Sequence, residues 1–495
     1  MEEHDWLVTS SLEDGKHEYI YATQDLTPEE LGGKEQLKFF LDVTPGLNIQ
    51  LVMLFLDAQK QRISHVIKHA NRNKVVDVPP ETAFIRMGWR VYQGGSCKIH
   101  RLVLGHLDLE PANILGQSDV LLLTNHYPSY DDLYRNGFVH SRVKAYREYG
   151  VSVDIFRLRK DQPISWHEFQ DIDVTTGSQQ ALRRMLASGR YRHVLVHFLD
   201  PDMWEVLKDF IDNIKVTVWV HGADIQPWYR RKFNIETPEQ EKAAITVSEK
   251  RMVFWRALLN PMPANLQMVF VSKYFAEEVM EDLGFRLPDE GYHVIHNPVD
   301  TDLFSYTEKD PEQRKKILSI RPYSSKVYAN DLTVRCVEEL AKEPFFDELV
   351  FHVIGSGALF DEVVEPLKKY GNVKVEKKFL TQHEIAALHK NYGVFLCPSR
   401  YDTQGVSRDE GRASGLVAVV SNVAAIPEFV DMDSGILVDD GDYAGLARAV
   451  SSLYKDAELF MRLSKNSVER VREQVDKRRI VYEELALIAG VRHGL

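Results

Sequence analysis

The chain has only three cysteines among 495 residues, Cys97, Cys336 and Cys397, too few and too scattered for a disulfide framework or a cage of metal-spaced thiols. It has no run of the roughly 18 apolar residues that a membrane-spanning helix needs, and no N-terminal stretch joins a basic start to an apolar core. It also lacks a basic excess. With 61 Lys and Arg against 73 Asp and Glu, the formal net charge of -12 repels a phosphate backbone and argues against nucleic acid as a partner. These absences point to a globular protein of the reducing cytoplasm. Two local basic clusters, Arg157-Leu-Arg-Lys160 and Arg478-Arg479, leave room for peripheral contact with the anionic inner face of a membrane.

What is present is an ordinary globular composition, 44% hydrophobic and 27% charged, long enough for two or three domains. Residues 1–110 alternate short apolar runs with Gly and Pro breaks: Lys38 to Val43, Ile49 to Leu56, Phe84 to Val91 and Ile99 to Leu104. That rhythm predicts a small all-β sandwich. Its aromatics Trp6, Trp89 and Tyr92 raise a glycan-binding role, with an oligomerisation or spacing role as the alternative.

From Ser118 apolar runs at 119–124, 151–158, 193–199, 216–220 and 267–271 are each followed by a helix-length mixture. A second series begins after Asn297-Pro298, at 316–320, 349–354, 373–375, 394–397, 416–421 and 435–438. Strands alternating with helices predict parallel sheets covered on both faces. The expected fold class is therefore α/β: two facing Rossmann-like domains, 116–300 and 311–470, preceded by the sandwich. A C-terminal helix, 471–495, is expected to pack back on the first Rossmann-like domain.

The sharpest motif is Ser399-Arg-Tyr-Asp-Thr-Gln-Gly-Val-Ser-Arg-Asp-Glu410. Gly405 lets the backbone approach a ligand, the amides of Val406 and Ser407 open a helix and can receive a phosphate, and Glu410 can accept two ribose hydroxyls. Upstream, Arg321 and Lys326 follow a strand five residues apart, two cations able to neutralise a diphosphate without a metal. His221 ends an apolar run at Val216 to Val220. Asp200-Pro-Asp202 imitates a metal-binding acid pair but reads as a helix opening, and Glu428 after Pro427 reads the same way.

Residues 118–470 resemble the family 4 retaining glycosyltransferases of the GT-B fold, through the acid-x7-acid segment Asp402 to Glu410, with Asp402 one methylene shorter than the usual Glu. The resemblance implies that Arg321 and Lys326 clamp the donor diphosphate and that Asp402 and His221 contact the donor sugar. It places Gly137 in the loop near the donor phosphate or acceptor, and Gly355 and Gly357 along the nucleotide pocket. Gly405, Val406, Ser407 and Glu410 complete the donor site. His126 in the same first loop is equally read as a bystander.

What the resemblance implies is transfer of a sugar from a nucleotide-sugar donor to a glycan or lipid-linked glycan acceptor, in cell-envelope or capsular polysaccharide synthesis. No cofactor or metal is expected, and an oligomer through the N-terminal domain is an open expectation. A nucleotide-sugar epimerase of the same fold and a non-catalytic glycan-binding scaffold are the competing readings.

Overall fold

The computed structural model describes residues 6–72, 74–105, 118–130, 132, 136–162, 165–170 and 172–489. The chain forms two compact units, Met1–Thr217 and Val218–Leu495.

The first unit begins with two antiparallel four-stranded sheets. One has the order Trp6–Ser10, Gly95–Leu104, Gln36–Val43, Lys74–Asp77; the other His17–Leu26, Phe84–Tyr92, Asn48–Leu56, Arg62–His69. Every second residue of a strand points to the same face, so Leu37, Phe39, Leu41 and Val43 meet Ile49, Leu51, Met53 and Phe55 in one apolar core. The four apolar runs read from the sequence are the four central strands. The four it passed over are the edges, where one side of the strand has no partner and the hydrophobic alternation is weak.

The aromatics of this region divide between core and surface. Trp89 packs against the core, and the exposed rings are those of Tyr19 and Tyr21 on an edge strand. The side chain of Trp6 lies outside the described residues.

The same unit continues into a mainly parallel set of strands in the order Ser165–Phe169, Ile172–Gly177, Asp154–Leu158, Val120–Thr124, His193–His197. Val120–Thr124 and His193–His197 are buried throughout, as parallel strands covered on both faces require. One connection departs from the expected alternation: Asp154–Leu158 is followed by an antiparallel pair, Ser165–Phe169 against Ile172–Gly177, before the helix Gln179–Ala187.

In the second unit Leu266–Phe270 and Tyr292–Val294 pair in parallel. Between them runs the helix Lys273–Leu283, opened by Ser272, whose hydroxyl accepts from the Phe275 amide, and stopped by Gly284 at φ 85°. Its buried face is Phe275, Ala276, Val279, Met280 and Leu283, the three- and four-residue spacing of an amphipathic helix.

A six-stranded parallel sheet follows, in the order Val373–Lys377, Val350–Ser356, Lys316–Pro322, Val394–Leu396, Val417–Ser421, Ile436–Val438. Numbered along the chain, its strands lie 3-2-1-4-5-6, the doubly wound order. Alternate residues feed opposite layers: Ile317, Val353, Leu396 and Val419 face one core, Leu318, Ile354, Phe395 and Val420 the other. The order reverses between Lys316–Pro322 and Val394–Leu396, and a crevice at the carboxyl ends of such strands is where open α/β sheets bind ligands.

The expected C-terminal helical region is present as far as residue 489, with 490–495 outside the described residues. It opens with a helix Ala457–Val475 that buries Phe460 and Leu463 in the core of the second sheet. It ends at Val475, and a further helix, Lys477–Ala489, starts after Asp476. The break is pinned by backbone bonds: the Val299 amide donates to Val475 and the Lys477 amide to Val299, each at 2.8 Å.

Candidate active site

At the crevice between the strands Lys316–Pro322 and Val394–Leu396 lies a buried cation. Arg321 is 5% exposed, and its guanidinium donates to Ser399 Oγ at 2.7 Å and Ser407 Oγ at 3.1 Å, with the ring of Tyr328 5.0 Å away. Its Nε has no partner, and among the described residues no carboxylate pairs with it. A charge taken out of water without a counter-ion is costly, so this arrangement is suited to an anionic ligand.

Ser407 belongs to the first turn of the helix Val406–Ala413, whose leading amides have no partner within the helix. Gly405 caps it at φ 100°, in the left-handed region that favours glycine. A Cβ there would stand 2.7 Å from Arg408 Nη1 and 3.2 Å from Asp402 Oδ2, so any side chain would also have to displace the Arg408 guanidinium. Asp402 Oδ1 accepts from the Gln404 amide at 3.1 Å, closing the turn that leads into the helix.

The two acids of the helix have opposite surroundings. Asp409 is fully buried between two guanidinium groups, with Arg408 at 2.9 Å and Arg412 at 3.1 Å. Among the described residues Glu410 has no cation, and one long hydrogen bond of 3.4 Å arrives from Gln382. Burial, reinforced by the neighbouring Asp409 charge, pushes its carboxyl up to about 8.

Lys326 stands in a short 3-10 turn capped by Ser325. Its ammonium is ion-paired with Glu236, both groups half exposed, and its amide donates to Asn234 Oδ1 at 3.2 Å. Gly355 and Gly357 answer a packing demand of their own. A Cβ on Gly355 would come within 2.2 Å of the Arg321 carbonyl oxygen, and one on Gly357 within 2.3 Å of the Tyr323 backbone.

His221 directly follows the strand Lys215–Val220. Its amide and that of Gly222 donate to the Asp224 carboxylate, which burial raises to about 6. The His221 carbonyl accepts from Thr403 Oγ1 at 3.4 Å, beside Asp402 in the chain.

Gly137 lies in the first unit, at the start of the helix Gly137–Glu148. A Cβ at Gly137 would meet nothing within 4 Å, and the left-handed conformation of this connection falls on Asn136, at φ 59°, whose side-chain Nδ2 donates to the His126 carbonyl at 3.0 Å. His126 Nδ1 accepts from Arg159 at 2.8 Å. Asp200 caps the helix Pro201–Leu207 through the Met203 amide, and Asp202 pairs with Lys160 at 3.2 Å. Among the described residues no three His, Cys, Asp or Glu side chains form a metal-binding group.

Sequence reasoning missed what Glu428 and Glu278 do. Glu428 stands in a short helix, Ile426–Phe429, but its carboxylate accepts from the amides of Lys273 and Tyr274, each at 3.0 Å, at the head of a different helix. Glu278, within that helix, accepts from Tyr401 of the acid-x7-acid segment. No local pattern marks either residue, because the partners are over a hundred residues away.

Residues 314–456 match the family described as Glycosyl transferases group 1. The chain thus carries a glycosyltransferase group 1 domain. It is 27% identical over 207 residues to N-acetyl-alpha-D-glucosaminyl L-malate synthase of Bacillus anthracis, 39% of this chain and 52% of that protein. The chain spans about half the length of the curated relatives it matches, 52% and 54%.

Among solved structures, sucrose-phosphate synthase from Thermosynechococcus elongatus superposes with a TM-score of 0.58 at 15% identity, covering 75% of this chain and 98% of that one. Anabaena HepE in complex with UDP and glucose gives 0.52 at 13% identity, covering 75% and 100%. At these identities the likeness is one of fold, the α/β fold of the GT-B type. Among the described residues no helix is long and apolar enough to cross a membrane.

Proposed function

We propose that the protein is a retaining glycosyltransferase that moves a sugar from a nucleotide-diphosphate donor to a glycan acceptor, in polysaccharide synthesis. The observation that carries this reading is Arg321, a buried cation without a counter-ion among the described residues, whose two bonded hydroxyls come from the segment opening the helix at Gly405. Fixed donors aimed at a developing charge are commonly the largest contribution to catalysis. Here Arg321, the amides of Val406 and Ser407 and, once released from Glu236, Lys326 receive the diphosphate as its bond to the anomeric carbon breaks. The group 1 domain at 314–456 and a GT-B neighbour bound to UDP and glucose support the assignment.

In this mechanism the acceptor hydroxyl attacks the anomeric carbon from the side the diphosphate leaves, and its proton passes to a departing phosphate oxygen. Asp402 and His221 orient the donor sugar, and Glu410 takes the ribose. Charge neutralisation by Arg321 and Lys326 makes the reaction independent of a metal ion.

The test is a thermal-shift screen of UDP-, GDP-, ADP- and dTDP-sugars on the full chain, followed by assay of nucleotide release with glycan acceptors in the presence and absence of EDTA. Release of nucleoside diphosphate with growth of the acceptor is the expected result. An epimerised donor without released nucleotide would make the protein an epimerase, and binding without turnover would make it a scaffold.

A further inference from the structure

Asp402 carries a shorter side chain than the reading above asks of a donor-sugar carboxylate, so its reach depends on where the backbone holds it. That backbone is tethered at residues on both sides. The Tyr401 hydroxyl donates to Glu278, Thr403 Oγ1 donates to the His221 carbonyl at 3.4 Å, and Gln404 bonds Asn297 in both directions, at 2.6 Å and 3.0 Å.

The Tyr401 tether ends on a built site. Glu278 is 4% exposed and its carboxylate also accepts from Gln226 at 3.0 Å and Tyr274 at 3.2 Å, with Arg230 at 3.4 Å supplying the counter-charge. The helix that carries Glu278 is itself held at its head by Glu428. Burial and the Glu278 charge drive the Tyr401 phenol well above its ordinary value, so the proton stays on the phenol as the donor.

We propose that Tyr401, anchored on buried Glu278, is a positioning residue that sets the place of the Asp402 carboxylate against the sugar ring of the donor and takes no part in gripping its nucleotide. This rests on the glycosyltransferase reading. A carboxylate displaced by a fraction of an ångström from the sugar loses much of its orienting effect, while a diphosphate held by Arg321 and the helix amides does not sense the change.

The experiment uses the full chain and the Tyr401→Phe variant, which keeps the ring and loses the hydroxyl. Calorimetry with UDP, GDP, ADP and dTDP alone reads the nucleotide grip, and kcat and KM with the corresponding nucleotide sugars read the sugar. The expected result is nucleotide affinity within about twofold of wild type and kcat lower by about tenfold to a hundredfold. Glu278→Gln, which keeps an acceptor for the phenol, should retain most of the rate. Glu278→Leu should match Tyr401→Phe, with the double variant no slower than either.

Wild-type kcat and KM in folded Tyr401→Phe would overturn the proposal, as would loss of nucleotide affinity in step with loss of rate. A wild-type protein that binds none of the nucleotides or nucleotide sugars would overturn the underlying reading as well, and so is told apart from failure of the tether alone.

Discussion

The guanidinium of Arg321 donates to the hydroxyl of Ser407 across 3.1 Å, joining the end of one strand to the first turn of a helix 86 residues further along the chain. Among the described residues this buried cation has no carboxylate beside it and its Nε has no partner; two hydroxyls hold it. Arg321→Ala should lower kcat/KM for transfer by about a hundredfold or more, the usual effect of removing one fixed donor from a developing charge. Steady-state kinetics beside a thermal melt checks this. Unchanged kinetics in a folded variant would remove Arg321 from the mechanism.

Lys326 is occupied by Glu236, so a diphosphate has to compete with a carboxylate for its ammonium. Because both groups are half exposed, the pair is worth about 0.2–1 kcal/mol. Glu236→Gln should tighten nucleoside diphosphate binding by a few-fold at low salt, with the gain shrinking as salt screens the charges. Titration calorimetry at two ionic strengths measures it. Weaker binding in the variant would mean that Glu236 serves the ligand directly.

Glu410 should make stability fall with pH. Its carboxyl, ordinarily near 4.5, is raised to about 8 in the folded protein. Below the lower value both folded and unfolded chains carry the proton. Between the two values the folded chain keeps it and the unfolded chain releases it, so this contribution to stability is lost as pH rises to about 8. The melting midpoint of Glu410→Gln relative to wild type should therefore climb between about pH 5 and pH 8.5, and a difference independent of pH would contradict the assignment.

The glycines separate into two kinds. Gly355→Ala forces a methyl to within 2.2 Å of the Arg321 carbonyl oxygen and 2.6 Å of the Tyr323 ring, an overpacking expected to cost about 1–3 kcal/mol and to disturb Arg321. Gly137→Ala meets nothing within 4 Å and places a better helix former at a helix start, so its fold should be at least as stable as wild type. Urea denaturation of the two variants compares them. Lost activity in a stable Gly137→Ala protein would point to a ligand near that loop.

Much of this molecule is written in short-range patterns. Phe39, Leu41 and Val43, or Ile317 and Leu318, announce strands because side chains alternate across a pleated sheet, and full burial makes the alternation or the apolar run strong. Edge strands such as His17–Leu26 and Arg62–His69 half escape that rule, since exposed faces accept polar residues. The same limit hid the edge strand Ser165–Phe169.

Gly405, Val406, Ser407 and Glu410 could be read together because a helix start is local: a left-handed glycine, open amides and an acid one turn on follow from a dozen consecutive residues. Which cation reaches Ser407, which acid occupies Lys326, and what anchors Tyr401 depend on chain segments separated by 86 to 123 residues. By itself the sequence determined the alternation of strands and helices and the presence of a glycine-capped helix start, since both follow from backbone sterics and burial of neighbouring residues. Only the tertiary structure decided the partners of Arg321, Lys326, Tyr401 and Glu428, because a hydrogen bond between distant segments leaves no periodic trace in either.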